Sequence, residues 1–389
     1  MPLLYVSTTA FLIFGILVRR PFLPAVVLIV AVAWGIALSV AMIDPYCLYA
    51  WGAVPRLMSS DEYSMRSKPY LVDAVAKSDD IDTIFLGGST GHFYTAEMMQ
   101  GILPNTRRAF NLSYSGPSPP DRAEVQRQLL EHSHARRFIV EADWTYIVPM
   151  EDQPVTASFP IYLYDAVWWN DLRGINLQAV KLSLAVLRGK PLWIGEWGPA
   201  REHEGYRRIY GVMHGQGAIS EFTRYISRDK VSIDTPSPLS CRSMNALGDS
   251  LFPFVHSLSL RGAEVDVLLP VYSWVLYYRK AGSDTRGLSS PSLLNDLLLM
   301  RYCLVNALDG QPGVRIFAFD DVTGLASDMR NYFDPGHLYN AAANRYVLQS
   351  MVADEHRLTR SNVIAKNAEM RSAVSRYEFT DITEWVPPP

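Results

Sequence analysis

Residues 84–91 read IFLGGSTG, an apolar run that ends in two glycines, a serine, a threonine and a third glycine. Ahead of it, Asp82-Thr83-Ile84-Phe85-Leu86 follows the polar Lys77-Ser78-Asp79-Asp80. A short β-branched and apolar run with such a flank predicts a buried strand. Ser89 then stands where the strand stops. In open α/β sheets, ligands gather at the carboxyl ends of the strands, because loops and helix N-termini converge there on one crevice. Glycines at 87, 88 and 91 permit positive φ and leave room for a substrate beside the main chain. Taken alone, the stretch reads equally well as a strand-to-loop turn with an incidental serine.

Working outward, four further apolar segments have the length and flanks of buried strands: 107–112, 136–142, 264–269 and 314–319. Helical patterns lie between several of them, as at Pro119 to His132 and Leu288 to Ala307. This alternation predicts an α/β domain of three layers around a five-stranded parallel sheet. The stretch 145–262 is too long for one crossover helix. It predicts a helical insertion, with helices over Ile161–Leu172, Leu177–Leu187 and Leu239–Leu260. That insertion carries Tyr162, Tyr164, Trp168, Trp169, Trp193, Trp197, Tyr206 and Tyr210, which suit either stacking on sugar rings or a core of its own. Residues 354–389 are polar, end in three prolines, and read as a tail either laid over the surface or partly disordered.

The amino-terminal part differs in kind. From Pro21 to Ile43 no side chain ionises over 23 residues, enough for a helix to cross roughly 30 Å of hydrocarbon. Residues 2–18 form a second uncharged apolar run, so residues 1–43 predict an anchor of one or two transmembrane helices, followed by a linker over 44–79. Arg19 and Arg20 lie between the runs, and positive residues stay cytoplasmic, which sends everything after Asp44 outward. The net charge of −3 is too small to suggest nucleic acid or another polyionic partner. Cys47, Cys241 and Cys303 allow one disulfide and fit no metal spacing, and no cofactor or metal is expected.

A second motif bears on the serine. In NYFDPGHLYNAAANRYVL, Asp334 and His337 flank the turn pair Pro335-Gly336, and a helical pattern follows. Across such a turn a carboxylate can reach one imidazole nitrogen while the other points outward, which makes a general base with its tautomer set. D-x-x-H alone is weak, but joined to a Gly-Ser turn after a first strand it becomes fairly specific.

The pairing resembles the SGNH/GDSL hydrolase superfamily, over roughly residues 80 to 353. The resemblance implies a flavodoxin-like three-layer domain and a catalytic triad of Ser89, His337 and Asp334. It also implies an oxyanion hole from the backbone amides of Ser89 and Gly116, the latter within Asn111-Leu112-Ser113-Tyr114-Ser115-Gly116. Two departures stand out. The family's Gly-Asp-Ser is Gly87-Gly88-Ser89 here, and its asparagine donor after the third strand is replaced by Glu141-Ala142-Asp143-Trp144. Carboxylates are poor donors, so the hole rests on the two amides or recruits another side chain. With its anchor, the chain looks like the SGNH-like proteins of cell-surface polymer acylation, such as those of alginate O-acetylation and of teichoic acid D-alanylation. That likeness implies a bacterial inner membrane location with a periplasmic or extracellular domain, a polysaccharide or acylated glycan substrate, and a polytopic membrane-bound O-acyltransferase as partner.

Other readings remain. Residues 87–91 also match G-x-S-x-G of α/β-hydrolases, but only 38 residues separate the apolar helix from the first strand, too few for that fold's earlier strands. A degenerate domain that binds glycans or organises a complex fits the absent asparagine. His92 could line a pocket or pack on the following helix, His132 and His134 read as solvated, and His214 could sit on a loop over the site.

Overall fold

The computed structural model describes residues 23–48, 57, 59–147, 159–165, 167–188, 235–278, 292–334 and 336–378. The apolar run ahead of Ser89 forms strand β1 (Thr83–Leu86), every residue of which is buried. Strands β2 (Ala109–Asn111), β3 (Arg137–Glu141), β4 (Glu264–Leu268) and β5 (Val314–Phe317) lie within the other apolar segments. They pair in parallel in the order β2-β1-β3-β4-β5. β6 (Tyr332–Asp334) and β7 (His337–Leu338) form a separate antiparallel hairpin. The sheet itself extends beyond the five parallel strands expected. β8 (Arg357–Leu358) adds antiparallel to β5, so the sheet is mixed and six-stranded. A two-residue strand in polar surroundings has no periodicity to betray it, and its place is set by the turn before it, where Asp354 and His356 both have φ of 58°.

In chain order the principal helices are α1 (Leu23–Ile43), α2 (Val72–Ala76), α3 (Ala96–Ile102), α4 (Pro119–His132), α5 (Leu177–Leu187), α6 (Phe252–Leu260), α7 (Leu293–Leu308), α8 (Ala341–Val352) and α9 (Val363–Arg376). Side chains alternate across the sheet, and both faces are apolar because both are covered. Ile84, Phe110, Phe138, Val140, Val265, Val267, Val314 and Ile316 enter one core with residues of α2, α4, α6, α7 and α9. Phe85, Ala109, Ile139, Leu268 and Phe317 enter a second core with residues of α3 and α8. The protein is therefore α/β with helices on both faces of the sheet.

The segments read as linker and tail are structured where described. Tyr46, Tyr63, Leu71 and Val75 are buried in the larger core, as are Val363, Met370 and Val374 of α9. Among its described residues, the first expected helix of the insertion is not formed as such. Residues 161–172 form short 3-10 turns at Ile161–Leu163 and Trp168–Gly174. The Asp165 carboxylate takes the Val167 amide at 2.7 Å and the Asn170 amide group at 2.8 Å, offering the backbone an alternative to the helix. Toward 260 the expected helix starts at Asn245, passes through a π-turn at Leu247–Leu251 and continues as α6 from Phe252. Tyr164 is structural, its hydroxyl donating to the Pro69 carbonyl and its ring 5.6 Å from Phe159. The side chains of Trp168 and Trp169, and all of Trp193, Trp197, Tyr206, Tyr210 and His214, lie outside the described residues, as does the first apolar run.

Cys241 and Cys303 are joined in a disulfide, and Cys47 is free, with burial pushing its thiol up to about 11. α1 is long and apolar enough to serve as a membrane anchor or a signal sequence.

Candidate active site

The strand order reverses direction between β1 and β3, so the crevice at their carboxyl ends is where a doubly wound sheet places a ligand. Ser89 opens a short 3-10 turn, Ser89–Phe93, directly beyond β1. The turn is stitched to both neighbouring strands. From β2, the buried Asn111 donates to the carbonyls of Gly91 at 2.8 Å and Tyr94 at 2.6 Å, while its own oxygen accepts the Ser113 amide at 2.7 Å. From β3, Glu141 accepts the Gly88 amide at 3.0 Å.

The glycines of this turn do not work as expected. Positive φ occurs at Gly116, Gly262, Gly310 and Gly313 among the described glycines, and Gly88 has φ of −84°. Their role is volume. A Cβ on Gly87 would come within 2.5 Å of Glu141 Oε2, and one on Gly88 within 2.5 Å of Asp143 Oδ2. The space that the sequence suggested for a substrate is filled by two carboxylates.

His337 reaches the serine from the other end of the chain. Its Nε2 lies 2.8 Å from Ser89 Oγ, across 248 residues of sequence. The imidazole is held by the β6–β7 hairpin, whose Tyr332 and Leu338 are buried in the second core. Asn331 and Asn340 close the hairpin: the Asn331 carbonyl accepts the amides of Tyr339 and Asn340, and Asn340 Nδ2 donates to Asn331 Oδ1 at 3.1 Å. Asn340 also caps α8 by accepting the amide of Ala342 at 2.9 Å, which ties the hairpin to a packed helix. Asp334 pairs with His337 in the backbone register of the hairpin. The side chain of Asp334, expected to orient the imidazole, lies outside the described part of the structure, as does Pro335.

Gly116 sits on the loop between β2 and α4, exposed, with φ of 58°, a left-handed position that favours glycine. It is thus on the same edge of the sheet as Ser89. Ser118 begins α4 with a capping box to Asp121.

Beyond β3 stands an ion pair that sequence reasoning did not assign. Arg122 Nη2, from the first turn of α4, donates to Asp143 Oδ2 at 2.6 Å, and both side chains are buried. The guanidinium lies 4.4 Å from the centre of the Tyr146 ring. Burial works against its charge, but Asp143 together with Tyr146 and Tyr114 outweighs it, and Arg122 stays protonated. Asp143 Oδ1 accepts the Thr145 amide at 3.0 Å, so this carboxylate is saturated by donors. Glu141 is the opposite case. Burial, reinforced by the charge of Asp143, pushes its carboxyl up to about 8, against the pull of the Gly88 amide and of Arg122. At neutral pH it is mostly the neutral acid.

Of the expected site residues, Ser89 and His337 are in hydrogen-bond contact. Of the other histidines, His92 is buried with its ring edge-on to Phe93, and His132 and His134 are exposed. Asn111, Glu141, Arg122 and Asp143 are the additional residues that shape the turn. A polar residue ending an apolar strand run was the available signal for Asn111 and Glu141; nothing local marks the Arg122–Asp143 pair. No protein-family model matches the chain, and a comparison with curated proteins likewise finds no match.

Proposed function

We propose that this chain is a membrane-anchored, extracytoplasmic serine acyl esterase or O-acyltransferase of the SGNH type, acting on a cell-surface or exported polysaccharide. The observation that carries the reading is the 2.8 Å contact between Ser89 Oγ and His337 Nε2 at the carboxyl edge of the sheet. In the proposed cycle Ser89 Oγ attacks the acyl carbonyl and its proton passes to His337 Nε2. The carbon–oxygen bond to the leaving alcohol breaks, and that alcohol takes the proton from His337. Water or a glycan hydroxyl then gives its proton to His337 and attacks the acyl-serine; the bond from the acyl carbon to Ser89 Oγ breaks, and Ser89 takes that proton back from His337. Asp334 is assigned to orient the imidazole, and the amides of Ser89 and Gly116 to bind the oxyanion.

Location outside the cytoplasm is supported by Arg19-Arg20 ahead of α1 and by the Cys241–Cys303 disulfide, a bond that persists in oxidising compartments. A bacterial inner membrane and a membrane-bound O-acyltransferase partner follow from the resemblance alone. A second reading, a glycan-binding or scaffold subunit without turnover, is favoured by one feature: acids stand after β3 where the family has an amide donor.

The test is acyl-enzyme capture. The full-length protein is mixed with p-nitrophenyl acetate, and the peptides are analysed for acetyl on Ser89. Acetyl on Ser89 together with release of nitrophenol supports the enzyme. If no adduct and no turnover occur, even with a membrane-bound acyltransferase supplied, the scaffold reading takes its place.

A further inference from the structure

The insertion helix α5 has two faces of contrasting chemistry. Ala179, Leu182 and Ser183 are buried, and the first two belong to the larger core. The opposite face carries Leu177, Lys181, Leu184 and Arg188, which recur at helical spacing, with Leu187 beside them. Leu177 is 69% exposed, Leu184 45% and Leu187 68%. A helix that faced water would put polar side chains there.

What covers these leucines is indicated by what lies next to them. α5 packs against α1, and Val40 in the last turn of α1 is buried in the same core as Ala179 and Leu182. Gly174, just before α5, sits against Leu48, just after α1. α1 in turn exposes Leu28, Ile29, Val32, Ile36, Leu38 and Met42. The apolar surface of α1 therefore continues onto the outer face of α5, and Ile161 and Val167 of the preceding segment are exposed as well.

The geometry points to α5 as an interfacial helix that lies on the bilayer beside the outer end of α1, with Leu177, Leu184 and Leu187 in the acyl-chain boundary. Lys181 and Arg188 extend their apolar stems along the same face and place their charges among anionic headgroup phosphates. The partner is the lipid surface. This inference rests on the reading of α1 as a membrane-spanning anchor. It deepens that reading by making the domain a body seated on the membrane through a second element, with its glycan site held close to the bilayer.

The test uses the full-length chain carrying Cys47→Ala, with a single cysteine introduced by Leu184→Cys, Trp34→Cys or Arg261→Cys and labelled with a polarity-sensitive fluorophore. The protein is reconstituted into vesicles of phosphatidylethanolamine and phosphatidylglycerol containing doxyl-labelled lipid. The inference expects lipid quenching of about half the signal at 184 and less than about a tenth at 261, with 184 shielded from aqueous iodide. Adding Lys181→Glu and Arg188→Glu should lower the quenching at 184 by about twofold. Lipid quenching at 34 but iodide quenching at 184 overturns the inference and leaves the anchor standing. Shielding of 184 from both quenchers overturns it in favour of a protein partner. Absence of lipid quenching at 34 as well as 184 removes the anchor reading, and the inference falls with it.

Discussion

Two turns stand side by side at the carboxyl edge of the sheet and are built on opposite plans. The turn after β1 is made of small residues and presents its serine to a histidine from the far end of the chain. The turn that begins at the end of β3 carries two acids and buries both: Glu141 and Asp143 are 1% and 4% exposed. Yet the second shapes the first. Glu141 takes the Gly88 amide, and the Glu141 and Asp143 carboxylates occupy the volume that side chains at positions 87 and 88 would need. The serine-bearing turn has few ways of holding itself, so its geometry is imposed by less conspicuous neighbours.

The largest expected effect follows from the chemistry of the first turn. Ser89→Ala should lower kcat/KM for an activated acetyl ester by at least about 10³-fold, and His337→Ala nearly as much, because such groups act as a unit. Asp334→Asn should cost less than either if Asn331, Asn340 and the hairpin keep the imidazole in place. Stability of all three variants should stay within about 1 kcal/mol of the wild type. Equal turnover with and without Ser89 would mean that the turn after β1 is not the reactive one.

The second turn should fail by the reverse pattern, in stability first. Asp143→Ala leaves the Arg122 guanidinium buried without its carboxylate, a loss of about 3–5 kcal/mol by urea unfolding. Replacing both, as Arg122→Met with Asp143→Leu, should recover most of that loss, because the charge to be buried is gone. If Asp143→Ala instead unfolds like the wild type, the ion pair does not hold the site.

Gly88→Ala tests whether one turn is moulded on the other. Its new methyl would meet Asp143 Oδ2, which is locked by Arg122 and the Thr145 amide, and overpacking of this kind costs about 2–3 kcal/mol. Gly101→Ala, within α3 and with nothing inside 4 Å, is the control and should stabilise by about 0.5–1 kcal/mol. If both substitutions are harmless, the glycines serve the chain's flexibility and not the carboxylates.

The same contrast explains what was legible in the sequence. β1, Ser89 and the Asp334–His337 block are local: an apolar run meeting small residues, and two chemical groups three positions apart. The helices α4 and α5 could be read for the same reason, from capping residues or spacing. What could not be read depends on partners remote in sequence. Gly88 and Glu141 are 53 residues apart, and Arg122 and Asp143 are 21 apart on different elements. Glycine at 88 looks like a conformational device until Asp143 is seen beside it. β8 was missed because two residues have no pattern, and the 161–172 helix was overcalled because Asp165 competes for the backbone there.

The smallest expected effect concerns the protonation of Glu141. Burial, with the charge of Asp143, raises the folded-state value to about 8 from the ordinary 4.5. A carboxyl raised in this way contributes stability that is fully present below about 4.5 and is lost as pH rises through about 8, because the unfolded chain releases its proton first. Glu141→Gln keeps an oxygen for the Gly88 amide and never ionises, so it copies the neutral acid. Between pH 6 and 8 the wild type should lose about 2 kcal/mol relative to Glu141→Gln, with the difference shrinking toward pH 5. Urea midpoints across pH 5 to 9 measure the difference. Parallel curves would mean that Glu141 is ionised in the folded protein at every pH tested. The turn after β3 would then hold two charges against one arginine, and its neutral hold on the Gly88 amide would have to be abandoned.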